Sequence, residues 1–187
     1  RNAGPGVPMN HDRNSSHIVI AGGGTAAHRA IETLRRNDHT GPITVICAEP
    51  LRPYDRPPLS KGVLAGETEA AELTFRSDDW YRERNVELRL GRHAVGLEPV
   101  DHRLVLDDGD ELAYDRLLIA TGSEARRFEL LDGRPNVLSL RNASDARELR
   151  RRLTPGARLV IVGAGFIGQE VAATARKLGA HVTVLEA

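Results

Sequence analysis

Apolar and polar positions along the chain fall into two blocks of the same design. In the first, "HIVIA" at 17–21 reads as a buried strand, Ala27, Ala30, Ile31 and Leu34 then recur at helical spacing, and "ITVICAE" at 43–49 reads as a second strand. In the second, "RLVIV" at 158–162 precedes a helix with Ile167, Val171, Ala175 and Leu178 on one face, and "HVTVLE" at 181–186 follows as a strand. Each block is a βαβ unit, and the two superimpose in pattern.

Between them the pattern breaks. "LRPYDRPPLSKGVLAG" at 51–66 is too rich in proline to be a long helix or a central strand, so it reads as a loop held for a reason. Ser77, followed by Asp78 and Asp79, starts a short helix through Trp80 and Tyr81. "VELRL" and "HAVGLEP" read as strands, and "RLVLDDGDELAY" as a hairpin turning at Asp108-Gly109. "RLLIATGS" reads as another buried strand. Ser144 is the expected cap of the basic helix "DARELRRRL", which Pro155-Gly156 separates from the second βαβ unit. A domain boundary is expected within 125–157.

Length and composition narrow the picture. At 187 residues the chain can bury one substantial core but is short for two complete nucleotide-binding domains, and both ends look cut, so an N-terminal fragment of a longer protein is expected. Lys+Arg and Asp+Glu are both 26, so no global field favours nucleic acid or an anionic membrane. With Cys47 as the single cysteine there is no intramolecular disulfide and no CxxC pair, which fits a reducing, cytoplasmic setting. The seven histidines show no metal-ligand spacing; His17 and His181 each begin a strand, and no metal is expected. Residues 1–16 are polar and rich in Gly, Pro and Asn, read as a disordered tail rather than a signal peptide, and no apolar run reaches the roughly 18 residues of a membrane span.

The chemistry lies in the turns. Gly22-x-Gly24-x-x-Ala27 joins a buried strand to an amphipathic helix: a tight turn, a bare backbone for a pyrophosphate to approach, and a small residue where helix meets strand. Phosphate there meets helix N–H groups and the positive end of the dipole. Glu49 follows Gly22 by 27 positions, where a carboxylate accepts hydrogen bonds from an adenosine ribose. The second turn is stricter, with Gly163, Gly165 and Gly168, and Glu186 closing the unit 23 positions after the first glycine. Two fingerprints point to two dinucleotides, one a bound redox cofactor and the other a diffusible hydride donor.

On "HIVIAGGGTAAHRA", "EPLRPYDRPPLSKGVL", "YDRLLIATGS", "LRNASDARELRRRL" and "VIVGAGFIGQEVAATARKLGAHVTVLE", the chain resembles the FAD-dependent pyridine nucleotide oxidoreductases over about 17–187. "PYDRPPLSK" resembles more narrowly the ferredoxin reductase branch of the putidaredoxin and rhodocoxin reductase kind. The resemblance implies that Gly22, Gly24 and Ala27 line the FAD pyrophosphate and Glu49 its ribose. It implies that Arg52 and Lys61 come from the Pro-rich loop, Ala94 meets the adenine side, Thr121 and Gly122 pass close to the cofactor, and Arg141 reaches it. Gly163, Gly165, Ile167 and Gly168 would take the NADH pyrophosphate, and Glu186 both ribose hydroxyls, disfavouring a 2′-phosphate and hence NADPH. Lys61 and Glu170 would meet near the reactive nitrogen of the flavin, the cation stabilising the reduced form; read without the resemblance, each is an ordinary exposed charge.

The expected fold is therefore α/β: a Rossmann-like three-layer FAD/NAD(P)-binding fold with a β-hairpin insertion and a truncated second Rossmann unit. The FAD-binding part is expected over 17–125, and a linker with the start of the NAD-binding domain over 126–187. The expected activity is electron transfer from NADH through FAD to a [2Fe-2S] ferredoxin of a Rieske oxygenase or cytochrome P450 system. Two rivals stand beside it. One is another flavoenzyme of the disulfide-reductase superfamily: a disulfide reductase or thiol-dependent NADH oxidase, against which the cysteine-free loop "RPYDRPPLSKG" counts, or a thiol-independent NADH oxidase; a non-catalytic FAD- and NADH-binding redox sensor is the other. Cys47, inside an apolar run, reads as core, Trp80-Tyr81 as packing of the short helix, and the five arginines of 141–152, Arg141 apart, as a solvated helix face.

Overall fold

The computed structural model describes residues 14–126, 128–131 and 133–186. Most of the expected tail, residues 1–13, lies outside them. In chain order the strands and helices are β1 (Ile18–Ala21), α1 (Thr25–Arg36), β2 (Ile43–Cys47), α2 (Gly62–Ala65), α3 (Asp78–Arg82), β3 (Val86–Leu90) and β4 (Ala94–Glu98). There follow β5 (Arg103–Leu106), β6 (Glu111–Ala113), β7 (Arg116–Ile119), α4 (Ala143–Arg152), β8 (Arg158–Val162), α5 (Phe166–Lys177) and β9 (His181–Leu185). They divide into two units: residues 1–53 with 76–121, and residues 54–75 with 122–187. From Tyr54 on, the Pro-rich crossing thus belongs with the second unit rather than with the strand that precedes it.

The first unit is built on a four-stranded sheet in the order β3-β2-β1-β7, every pair parallel. All four residues of β1 and all five of β2 are buried, because each strand is covered on both faces. On one face Ile18, Ile20, Ile43, Val45 and Cys47 pack with Ala27 and Ile31 of α1 and Tyr81 of α3. On the other, Val19, Ala21 and Ile46 pack with Leu104 and Leu106 of β5. Alternation along two strands therefore builds three layers: helices, the parallel sheet, and the antiparallel sheet β4-β5-β6. The hairpin from β5 to β6 turns at Asp108-Gly109, where Gly109 takes a positive φ of 88°. Ser77 caps α3 as expected, its hydroxyl accepting from the Trp80 amide. β7 differs from the expectation of a buried strand: it is one of the sheet's two edge strands, and Ile119 is 65% exposed.

In the second unit β8 and β9 pair in parallel, from Arg158 opposite His181 to Val162 opposite Leu185. Val171 and Ala175 of α5 join Leu64, Leu149, Leu153 and Ala180 in a core against which Leu159, Ile161, Leu178 and Val182 are packed. Ile167, expected on that buried face, is 53% exposed, because it stands in the first turn of α5, ahead of the buried residues. The Pro-rich crossing forms a 3-10 turn over Pro57–Ser60 and then α2, two short pieces in place of a helix, as proline demands.

The cap of α4 is Asn142, not Ser144. Asn142 Oδ1 accepts from the Asp145 amide, while Asp145 Oδ2 accepts from the Asn142 amide, a reciprocal capping box. Ser144 lies inside the helix and donates its hydroxyl to Asn142 Oδ1.

Candidate functional site

The two longest helices, α1 and α5, each begin at a glycine and carry neither a side-chain cap nor an acidic residue in the first turn. The shorter α3 and α4 have both. Uncapped N-terminal amides with the positive end of the helix dipole behind them are unspent donors for an anion. At Gly24 and at Gly165 a Cβ would meet nothing within 4 Å, so the floor of each turn is open backbone.

Gly22, Gly23 and Gly168 answer to packing, whereas Gly163 has nothing within 4 Å of a Cβ and answers to its φ of +104°. A Cβ on Gly22, whose φ is +124°, would lie 2.1 Å from the Ala120 carbonyl oxygen, and one on Gly23 would lie 2.6 Å from Cys47 Sγ. The third position differs between the turns. Ala27 is fully buried and its methyl is accommodated, whereas a Cβ on Gly168 would lie 2.2 Å from the Gly163 carbonyl oxygen. Both turns thus have an open floor, at Gly24 and at Gly165, while the first is tight at Gly22 and Gly23 and the second at Gly168.

Of the remaining residues expected at FAD, Glu49, Arg52, Ala94 and Thr121 lie in the first unit, and Lys61, Gly122 and Arg141 in the second. Glu49 follows β2, its carbonyl accepting from the Gly91 amide. Arg52 Nε stands 3.5 Å from Asp78 Oδ1. Ala94 begins β4 at a bulge, which leaves its backbone irregular, and Thr121 lies just beyond β7. In the second unit Arg141 Nε donates to the Ser123 carbonyl at 2.8 Å, and its guanidinium lies 3.3 Å from where a Gly122 Cβ would be. Glu186 follows β9, and its carboxylate accepts from the Ala164 amide inside the second glycine turn.

Lys61 and Glu170 are brought together, 109 positions apart in sequence. Lys61 Nζ is 2.7 Å from Glu170 Oε2 and also donates to the Pro57 carbonyl at 3.2 Å. Ser60, which the sequence reading passed over, donates to the same Glu170 Oε2 at 2.5 Å. The Lys61 ammonium, then the Ser60 hydroxyl, hold the Glu170 carboxyl below the usual carboxylate range.

Several side chains are occupied elsewhere. Burial, with Glu49 second, pushes the Cys47 thiol up to about 12, which suits a core residue and not a nucleophile. Trp80 packs edge-on against Tyr81 with the Arg84 guanidinium 4.5 Å from its ring centroid. Arg150 pairs with Glu69, and Arg151 and Arg152 with Glu148. The sequence reading also missed His28, buried beside Trp80 and paired at 3.3 Å with Glu32; the i,i+4 spacing of those two was the available signal. Among the described residues no cluster of His, Cys, Asp or Glu is placed to hold a metal ion, and no helix is long and apolar enough to cross a membrane.

The chain is 43% identical over 175 residues to the 3-phenylpropionate/cinnamic acid dioxygenase ferredoxin–NAD(+) reductase component of Photorhabdus laumondii subsp. laumondii, covering 93% of this chain and 44% of that protein. It is 45% identical over 174 residues to the p-cumate 2,3-dioxygenase system ferredoxin–NAD(+) reductase component of Pseudomonas putida, covering 92% and 43%. The crystal structure of the covalent putidaredoxin reductase–putidaredoxin complex matches with a TM-score of 0.84 at 37% identity, over 90% of this chain and 42% of that one. The chain therefore spans less than half the length of the relatives it matches. Residues 16–187 match the family described as pyridine nucleotide-disulphide oxidoreductase, and the chain belongs to that family.

Proposed function

We propose that this chain carries the two dinucleotide turns of an FAD-dependent NADH reductase that passes electrons to a [2Fe-2S] ferredoxin serving a Rieske oxygenase or a cytochrome P450. Residues 17–125 would be the first part of the FAD-binding domain, and 126–187 the linker and the start of the NAD-binding domain. The observation that carries the reading is the pairing of two uncapped glycine turns with a lysine–glutamate pair held on the second of the two helices.

Gly22, Gly24 and Ala27 would seat the FAD pyrophosphate on the α1 amides, with Glu49 at the ribose and Arg52, Lys61, Ala94, Thr121, Gly122 and Arg141 along the rest of the cofactor. Gly163, Gly165, Ile167 and Gly168 would seat NADH on α5, and Glu186 would hold its ribose hydroxyls. Bound FAD supplies the conversion between a two-electron donor and a one-electron acceptor. The protein's part is to hold and orient both nucleotides and to set a cation, Lys61, where reduced flavin accumulates negative charge. Like charge at Glu186 would repel the 2′-phosphate of NADPH.

The test is an anaerobic titration of the full-length holoprotein with NADH, and in parallel with NADPH, following flavin absorbance. Bleaching by NADH at low concentration and not by NADPH is the expected result. A protein that binds no flavin, or whose flavin stays oxidised with either nucleotide, overturns the reading.

A further inference from the structure

We propose that Ser60 is the positioning residue of the Lys61–Glu170 pair, its hydroxyl fixing one carboxylate oxygen of Glu170 between the Pro-rich loop and α5. The inference deepens the reductase reading and rests on it for what the pair is used for, while the positioning itself rests on geometry alone.

Ser60 is 4% exposed, whereas the Lys61 and Glu170 side chains are 50% and 33% exposed. An ammonium on a flexible four-carbon stem, half in water, is a weak way to hold a carboxylate in one orientation. A buried hydroxyl on a short, backbone-fixed stem is a strong one. Ser60 is itself anchored, because Thr174 donates its hydroxyl to the Ser60 carbonyl at 2.9 Å in a buried contact. Thr174 lies four residues beyond Glu170, on the same face of α5. Two hydrogen bonds one helical turn apart, running in opposite senses, thus staple the 3-10 turn to the helix.

The serine has one proton and two acceptors within reach, Glu170 Oε2 at 2.5 Å and the Pro57 carbonyl at 3.2 Å. Against a carboxylate the shorter, charge-assisted bond takes it. Against a protonated Glu170 the serine becomes the acceptor, and its hydroxyl turns to Pro57. Ser60 therefore favours the charged form of Glu170 in particular. Among the described residues Lys61 is the charged side chain that bears on Glu170.

The test uses the full-length holoprotein and two readouts. One is a carbon-13 titration of the Glu170 carboxyl, assigned by Glu170→Gln, which is independent of turnover. The other is the pH dependence of flavin reduction by NADH. Ser60→Ala should raise the Glu170 midpoint by roughly one pH unit, since a donor to the charged form is lost. The acidic limb of the reduction rate should move up by the same amount, and Ser60→Thr, which keeps the hydroxyl, should restore both. If Ser60→Ala fails to fold, Thr174→Val keeps the hydroxyl but releases its anchor, and should move the midpoint the same way by a smaller amount. An unchanged midpoint in a folded Ser60→Ala or Thr174→Val protein overturns the proposal. A wild-type flavin that NADH does not reduce overturns the reductase reading, and the carboxyl titration still decides the role of Ser60.

Discussion

At the third position of the two glycine turns one methyl group separates a tolerated residue from a forbidden one. Ala27 keeps its Cβ in a fully buried site, while a Cβ on Gly168 would stand 2.2 Å from backbone that cannot swing aside. Gly168→Ala should therefore destabilise the second unit by about 3 kcal/mol through overpacking against a carbonyl. Ala27→Gly should cost only about 1 kcal/mol, the loss of a helix-favouring methyl. Urea unfolding of both variants measures the difference, and equal costs would contradict the packing described. Sequence spacing made both turns readable, because strand-to-helix packing imposes small residues at fixed intervals. It was silent on their unequal tightness, which depends on where a carbonyl falls. The Lys61–Glu170 pair was readable through family resemblance and not through any local pattern, since its members stand 109 positions apart. Ser60 is adjacent to Lys61 and was still passed over, for a serine after two prolines reads as turn chemistry until the distant carboxylate is in place.

At the level of elements, apolar periodicity located the strands and the long helices, because burial on both sheet faces or one helix face leaves a direct imprint on sequence. Ends of elements are another matter. Asn142 and Ser144 are both capping residues two positions apart, and composition alone does not choose between them. The choice is made by reach: Asn142 Oδ1 meets the amide three residues on, with Asp145 returning the bond, whereas Ser144 is already one residue into the helix. The first helical amide is taken as well, since Ala143 donates to the buried Tyr54 hydroxyl at 3.0 Å. Asn142→Ala should lower stability by about 1 kcal/mol, and Ser144→Ala by no more than about 0.5 kcal/mol. Thermal melts followed by far-UV circular dichroism test this, and the reverse order would restore the serine cap. β7 was misjudged for a related reason: "RLLI" is as apolar as a central strand, and only its place at the sheet edge leaves Ile119 exposed.

Among the described residues each of the two units has apolar packing of its own, so they need not unfold as one, and pH should tell them apart. In the first unit burial, outweighing the pull of Glu32, lowers the His28 pKa from 6.5. A folded-state value below the unfolded one means that the unfolded chain binds the proton more readily, so stability is full above about pH 6.5 and falls as pH drops towards the folded value. Glu32, lowered from 4.5 first by its bond from Arg29, acts in the same direction further down, its contribution lost as pH falls through its folded value. Among the described residues of the second unit the shifts are downward shifts of Glu148 and Glu170, two carboxylates with nothing to lose until pH is below 4.5. Trp80 is the single tryptophan, and it packs against His28 in the first unit, so fluorescence reports that unit alone. Between pH 7 and pH 5 the fluorescence melting midpoint should fall while the circular dichroism component that fluorescence does not report holds, and His28→Gln, which cannot protonate, should flatten the fluorescence trend. A common shift of both signals, or an undiminished slope in His28→Gln, would mean that acid acts through something other than this buried imidazole.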